Sequence, residues 1–344
     1  MLTTQITQTY HLSTPIISAG MACVATPNLA AAVSNAGGLG TFSAAMVPPD
    51  GLRSLIHETR TLTHHPFGID FITSMTQAEH IAVCIDEQVP VVIFFWSFPP
   101  SNWVTQLQSS GTKVWMQVGS VAEAQDARAM GFDAIIVQGA EGGGHNRAEA
   151  STFSLLPAVC QAVAPILVIA AGGIIDGKGL VAALALGAEA VWCGTRFLAS
   201  EEAHAHSEYK ARVLRARLGD TTRTFLFGPE MPGQMMRVIR NRAVQQWGDR
   251  SSAAMEHSQT QPPIGSTIIN GQTVPIPKFS IILPMPDTTG DFEEMCLTAG
   301  ESSGNITEIM SAKAIVQAME NEAIELMTGR LRAIAPEHSP VAAH

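Results

Sequence analysis

The sequence predicts an α/β protein, a (β/α)8 TIM barrel with a smaller lobe inserted near its C-terminus. Three observations carry that prediction. Between residues 15 and 198 a short apolar run alternates with a longer amphipathic segment, and the unit repeats eight times. The runs are rich in Val, Ile, Leu and Ala, as strands covered by helices on both faces must be. The rival architecture, an open doubly wound sheet, would show a GxGxxG turn leaving its first strand. The nearest match here, Gly38-Leu-Gly40-Thr-Phe-Ser43, lacks the third glycine and enters a strand.

In chain order the predicted strands are Pro15–Gly20, Leu39–Ala44, Phe67–Ile72, Val89–Trp96, Lys113–Gly119, Ala134–Gly139, Ile166–Gly172 and Ala190–Leu198. The segments between them carry helix punctuation. Thr26 before Pro27 reads as an N-cap and first helical residue, and Gly37–Gly38 ends that helix. Thr76 with Glu79, and Ser120 with Glu123, have capping-box spacing. Gly111, Gly131 and Gly187 stand where three further helices must stop. After Leu198 the pattern changes. A charged helical stretch, Glu208–Leu218, leads into a Gly-, Pro-, Gln- and Met-rich region, and helical periodicity returns over Ile306–Leu331. The chain is therefore read as a barrel over 1–200, a lobe or lid over 201–290 and a helical segment over 291–335 that returns to the barrel. The tail from Ala335 is expected to fray.

Composition excludes several functions. The formal net charge is −10, from 30 acidic and 20 basic residues. Phosphate-backbone binding needs clustered Lys and Arg, and here they are scattered, so no nucleic-acid partner is expected. Five well-separated cysteines without a CxxC pair suggest neither a disulfide framework nor a zinc site. The N-terminus lacks a basic region followed by an apolar one, and no run of 18 apolar residues occurs. A cytoplasmic protein without membrane association is expected, with no bound metal.

Barrel active sites form at the C-terminal ends of the strands, and those ends are rich in glycine. After the seventh strand comes Ala171-Gly172-Gly173-Ile174, and within the eighth strand's exit comes Gly194-Thr195-Arg196-Phe197. Taken singly these read as tight turns. As a pair on consecutive strands they fit a phosphate cradle of backbone amides. After the sixth strand the chain reads Gln138-Gly139-Ala140-Glu141-Gly142-Gly143-Gly144-His145, a closely approachable backbone ending in an imidazole that can move protons near neutral pH. His145 is the candidate base, against the reading of a surface histidine like His64, His65, His204 and His206. Gln117 and Asp70, near the ends of strands five and three, would reach the same mouth or pin a loop. Ala19, Gly20 and Met21 offer small and soft surface against which a flat ring could lie, and a core-packing Met21 is an equal reading.

These motifs resemble those of the nitronate monooxygenases, the former 2-nitropropane dioxygenases, from Pro15 to about Leu331. The most specific stretches are PIISAGMACVATPNLAAAVSNAGGLG at 15–40, PFGIDF at 66–71, QVGSVAEAQDARAMGFDAIIVQGAEGGGH at 117–145 and AAGGIIDGKGLVAALALGAEAVWCGTRFLA at 170–199. The resemblance implies an FMN-dependent barrel enzyme that oxidises nitronates or nitroalkanes with oxygen to a carbonyl compound and nitrite. It gives His145 the role of catalytic base and Gly172, Gly173, Gly194 and Thr195 the FMN phosphate. Ala19, Gly20, Met21, Asp70, Gln117 and Gly144 fall at flavin positions. Ala299-Gly300-Glu301-Ser302-Ser303-Gly304 resembles the family's AGQ loop and brings Gly300 and Ser302 to the flavin.

The sequence departs from the family pattern in three places. Asp70 stands where Asn is usual, exchanging an amide donor for an acceptor. EGGGH replaces EAGGH and continues as Asn146-Arg147-Ala148-Glu149, adding charge beside the base. Glu301 replaces the glutamine of the AGQ loop. The same barrel also resembles FMN-dependent enoyl-[acyl-carrier-protein] reductases and quinone reductases, for which NAD(P)H would be a partner. A third reading is a flavoprotein component of a biosynthetic assembly. Its 201–290 lobe, with Met231, Met235, Met236 and Met255, would bind a carrier or another subunit, and a homodimer is compatible with all three.

Overall fold

The computed structural model describes residues 2–228, 233–248, 250–258, 260–269 and 271–334. Met231, the side chain of Met255 and the tail from Ala335 lie outside what is described. Eight parallel strands form the barrel: β1 (Ile16–Ser18), β2 (Gly40–Ser43), β3 (Phe67–Ile72), β4 (Val91–Phe95), β5 (Lys113–Val118), β6 (Ala134–Gln138), β8 (Leu167–Ala171) and β9 (Ala190–Cys193). They are hydrogen-bonded in the order β1-β9-β8-β6-β5-β4-β3-β2. The short β7 (Gly144–His145) lies in the loop after β6 and joins another sheet. Closure between β1 and β2 rests on a parallel bridge from Ile17 to Leu39. The Ser18 amide donates to the Leu39 carbonyl at 3.1 Å, and the Thr41 hydroxyl donates to the Ser18 carbonyl at 2.6 Å. The strand register leaves no free edge, as a barrel requires.

Helices α2 (Pro27–Asn35), α3 (Pro49–Leu62), α4 (Ala78–Asp86), α5 (Ser101–Ser109), α6 (Val121–Ala129), α7 (Thr152–Val163) and α8 (Gly177–Ala185) cover the outside. The closing helix α13 (Ala312–Glu325) packs between α8 and α2. Its buried residues Ala312, Ile315, Val316, Met319 and Ala323 form one helical stripe. Inside the barrel Ile17, Val91, Ile93, Trp115, Ile136 and Ile169 pack with Ile6 and Tyr10 of α1 (Gln5–Tyr10), which plugs the end opposite the strand C-termini. There the Trp115 indole N–H donates to the Tyr10 hydroxyl at 2.8 Å in a buried edge-to-face pair. Tyr10→Phe strands that N–H and should cost about 1–3 kcal/mol, read as a lower urea midpoint at unchanged slope.

Several local expectations are corrected. The last predicted strand stops at Cys193, because Gly194 turns into helical geometry and Thr195–Leu198 form the short helix α9. The Thr76/Glu79 box is displaced by one residue. A 3-10 turn over Thr73–Met75 holds Thr76 back, and Gln77 caps α4 in a box with His80. At α6 only half the box forms. The Ser120 hydroxyl accepts from the Glu123 amide, while the Glu123 carboxylate accepts from the Gly119 amide at 2.7 Å. Thr26 is the N-cap residue of α2 but makes no side-chain bond, the first turn starting with Pro27. The last helical segment begins at Ala312, capped by Ser311, so Ile306–Ser311 lies outside it. Gly37, Gly111, Gly131 and Gly187 all have positive φ, which is why glycine stands at these helix ends.

After β9 come α10 (Ser207–Arg215), β10 (Thr221–Thr224), β11 (Met236–Ile239), α11 (Arg242–Trp247), α12 (Ser251–Ser258) and a small sheet of β12 (Gly265–Ile269), β13 (Gln272–Ile276) and β14 (Thr289–Gly290). Leu226, Phe227, Met236, Val238, Val244, Phe279 and Cys296 form a separate core beneath them. β11 pairs antiparallel with β7, aligning Met236 with His145 and Arg237 with Gly144. The segment after the barrel is thereby hydrogen-bonded to the loop that carries the candidate base.

Candidate active site

One cleft lies at the C-terminal ends of the strands, enclosing about 1240 Å³ of empty space including its open mouth. The candidate base and all the residues expected at the flavin line it: Ala19, Gly20, Met21, Asp70, Gln117, Gly144, His145, Gly172, Gly173, Gly194, Thr195, Gly300 and Ser302. They arrive from seven separate segments, so the barrel topology is what assembles them.

On one side the chain is shaped for a close approach. Gly172 and Gly173 leave β8 with φ of +96° and +77°, conformations L side chains rarely adopt. Beside them Gly194 opens α9, whose first amides have no partner within a helix. The Thr195 hydroxyl accepts from the Gly300 amide at 2.9 Å, tying the 299–302 loop to this corner. Gly143 packs backbone to backbone against that loop.

The loop after β6 is rigid despite its glycines. The buried Asn146 amide donates to the carbonyls of Gly139 and Gly142, both at 2.9 Å, while its oxygen accepts from the Ala148 amide. Glu141 accepts from the Thr152 amide through both oxygens at the start of α7, which makes it a cap and takes it out of the chemistry. The charges expected beside the base are engaged elsewhere. Arg147 pairs with Glu123 at 2.8 Å and donates to the Trp96 carbonyl, and Glu149 pairs with Arg223 at 3.0 Å. Glu301 is about half exposed and lies 3.9 Å from Arg237.

His145 sits edge-on to Trp96 with ring centroids 4.9 Å apart and 6.4 Å from Phe95. Its Nε2 is buried without a hydrogen-bond partner. Burial in this aromatic setting holds the imidazole down to about 4, so it is neutral with a free ring lone pair at pH 7. Trp96 itself has φ of +84°, a strained conformation for a bulky residue and one met at functional sites. Asp70 is buried with Oδ1 unpartnered, and burial pushes its carboxyl up to about 8.

On the opposite wall sequence reasoning marked Met236 alone, and as a carrier-binding surface rather than as part of the cleft. Tyr209, Met236, Ile281, Leu283, Cys296 and Thr298 line the cleft from beyond the barrel strands. Ile281, Leu283, Cys296 and Thr298 lie in irregular segments, and Tyr209 and Met236 in short elements beyond the eight βα units, so strand-end position did not mark them. Among the described residues, no helix is long and apolar enough to cross a membrane, and no cluster of three metal-ligating side chains occurs.

A profile of the nitronate monooxygenase family matches residues 3–82 and 70–322. The chain belongs to the nitronate monooxygenase family, and it is an oxidoreductase on that ground. A (3aS,4S,5R,7aS)-5-hydroxy-7a-methyl-1-oxo-octahydro-1H-indene-4-carboxyl-CoA dehydrogenase of Mycobacterium tuberculosis is 33% identical over 94% of this chain and 96% of its own length. A protein of the same name from Rhodococcus jostii is 41% identical over 64% of this chain and 62% of its own. A probable nitronate monooxygenase of Staphylococcus aureus is 32% identical over 70% and 79%. Among solved structures, FabK from Thermotoga maritima superposes with a TM-score of 0.81 at 36% identity, over 97% of this chain and 100% of that one. The nitroalkane oxidase of Streptomyces ansochromogenes gives 0.77 at 26% identity, over 94% and 99%.

Proposed function

We propose that this enzyme is an FMN-dependent oxidoreductase that removes or holds a proton at an activated carbon through His145, with nitronates and nitroalkanes as substrates and oxygen as electron acceptor. The observation that carries this is a neutral, buried imidazole with an unpartnered Nε2 on a cleft wide enough for a flavin. A general base must keep its lone pair free at the working pH, and His145 does so over the neutral range. The cleft suits FMN in two respects. Glycines with positive φ after β8, next to the opening of α9, leave room for a phosphate against backbone amides. The small and soft surface of Ala19, Gly20 and Met21 accepts a flat ring.

In this reading Gly172, Gly173, Gly194 and Thr195 hold the phosphate, and Gln117, Asp70, Gly300 and Ser302 fix the ring. When bound, the flavin supplies the redox chemistry, accepting electrons from the substrate carbon and passing them to oxygen. His145 accepts the α-proton of a nitroalkane or orients a nitronate already formed. The backbone of Gly143 and Gly144, on the cleft wall, would steady the anion's oxygens, the Gly142 amide being held by the Gly139 carbonyl. Met236, Ile281 and Leu283 exclude water from the reacting carbon.

A second reading has its own support. The mycobacterial dehydrogenase, matched over nearly the whole chain, is named for a carboxyl-CoA compound. That relative favours an acyl thioester carried on coenzyme A or a carrier protein as the substrate, with NAD(P)H as the redox partner.

Anaerobic mixing of the flavin-loaded enzyme separates the two. Propyl-2-nitronate should bleach the flavin absorbance faster than NADH or NADPH. Rapid bleaching by a nicotinamide, with reoxidation by an enoyl thioester, would replace the nitronate reading with the second.

A further inference from the structure

Resting on the flavin reading above, we propose that Asp70 stays protonated in the cleft and donates its carboxyl hydrogen bond to an acceptor atom of the bound isoalloxazine ring. Asp70 sits near the C-terminal end of β3, in register with Ser43 of β2 and Ile93 of β4. Its side chain presses on the loop after β1 so closely that a Cβ on Gly20 would lie 2.3 Å from its own Cβ. The loop is thinned to bare backbone at that point, and the carboxyl lines the cleft.

The surroundings decide its charge. β2 (Gly40–Ser43), β4 (Val91–Phe95) and the loop from Ala19 to Ala22 contain no titratable side chain, and Cys23, next in the loop, carries a thiol that burial pushes up. Elsewhere on the cleft wall the titratable groups are His145, held neutral, Tyr209 and Cys296, and Gln117 adds an uncharged amide. Among the described residues no lysine or arginine lines the cleft. A carboxylate there would lack both a counterion and a donor for Oδ1, whereas the acid form needs only an acceptor. An isoalloxazine presents carbonyl oxygens and ring nitrogens along one edge, so a protonated Asp70 offers one donor where an asparagine amide would offer up to two. Burial alone pushes this carboxyl up to about 8, which leaves the acid in place at neutral pH.

The sign of the consequence follows. FMN binds the protonated form, so affinity is full below about pH 8 and is lost as pH rises through that value, by up to tenfold per pH unit above it. The test is a fluorescence titration of apoprotein with FMN from pH 7 to 9 on the wild type, Asp70→Asn and Asp70→Leu. The wild type should weaken about tenfold over that range. Asp70→Asn keeps a donor and cannot titrate, so its affinity should stay flat and also cancels any titration of FMN itself. Asp70→Leu should bind weakly at every pH.

A wild-type affinity as flat as that of Asp70→Asn would overturn the inference while leaving the flavin reading intact. No saturable FMN binding at pH 7 would sink both. Protonation can also be tested without flavin. A group raised from 3.8 to about 8 on folding costs stability as pH climbs between those values. Apo Asp70→Asn should therefore melt above the wild type by a margin that widens from pH 4 to 8, and a constant margin would contradict a protonated Asp70.

Discussion

Replacing His145 with alanine is expected to lower turnover of a neutral nitroalkane by two to four orders of magnitude, the usual worth of a positioned base. The same variant should oxidise a preformed nitronate with a much smaller loss, since that substrate arrives without the proton. FMN content should be unchanged, because the phosphate and ring contacts come from other strands. In the wild type, kcat/KM should fall on the acid side near pH 4, far below the ordinary histidine value of 6.5, because burial against Trp96 and Phe95 opposes the imidazolium. The linkage to folding has the matching sign. Stability from the neutral His145 is complete above 6.5 and declines as pH drops from 6.5 toward 4, where the unfolded chain binds the proton first. A pH profile measured on the nitroalkane, together with the ratio of the two substrates, checks both statements.

Gly143→Ala should be the most damaging single-methyl change in the cleft. Its new Cβ would lie 2.4 Å from the Gly300 nitrogen and 2.5 Å from the Ala299 carbonyl carbon, and backbone atoms cannot swing aside as a side-chain tip can. Either the loop after β6 lifts or the 299–302 loop retreats from Thr195, whose hydroxyl holds it through the Gly300 amide. Both moves open the wall that Gly300 and Ser302 give the cleft. The expected result is a hundredfold or greater loss of FMN affinity, about 3 kcal/mol by the usual conversion. Thermal stability should fall with it. Gly144→Ala offers the contrast. Nothing stands within 4 Å of its added Cβ, so only the strain of φ +72° remains.

Much of this arrangement was legible in the sequence, for identifiable reasons. Parallel strands buried on both faces must be continuous apolar runs, so β3, β5 and β6 stand out within a residue of their true limits. The glycines at 172, 173 and 194 follow such runs directly, His145 ends the glycine-rich loop after β6, and a barrel brings all strand ends to one mouth. Asn146 is different. It read as added polarity beside the base, but folding buries it as the bolt of the glycine loop, a role set by two carbonyls that only the tertiary structure aims at it. The start of α4 slipped because Thr76 and Gln77 are both acceptable caps, and the preceding 3-10 turn decides between them. The apolar wall given by Ile281 and Leu283 was illegible, because irregular segments bury residues without a period to read.

The claim at the centre is that one cleft holds FMN by its phosphate at the glycines after β8 and β9 and sets the ring before His145. Equilibrium titration of the apoprotein with FMN and with riboflavin, which lacks the phosphate, tests it most directly. The account predicts one FMN per chain, with riboflavin at least a hundredfold weaker. An apoprotein that shows no saturable binding of FMN would contradict it.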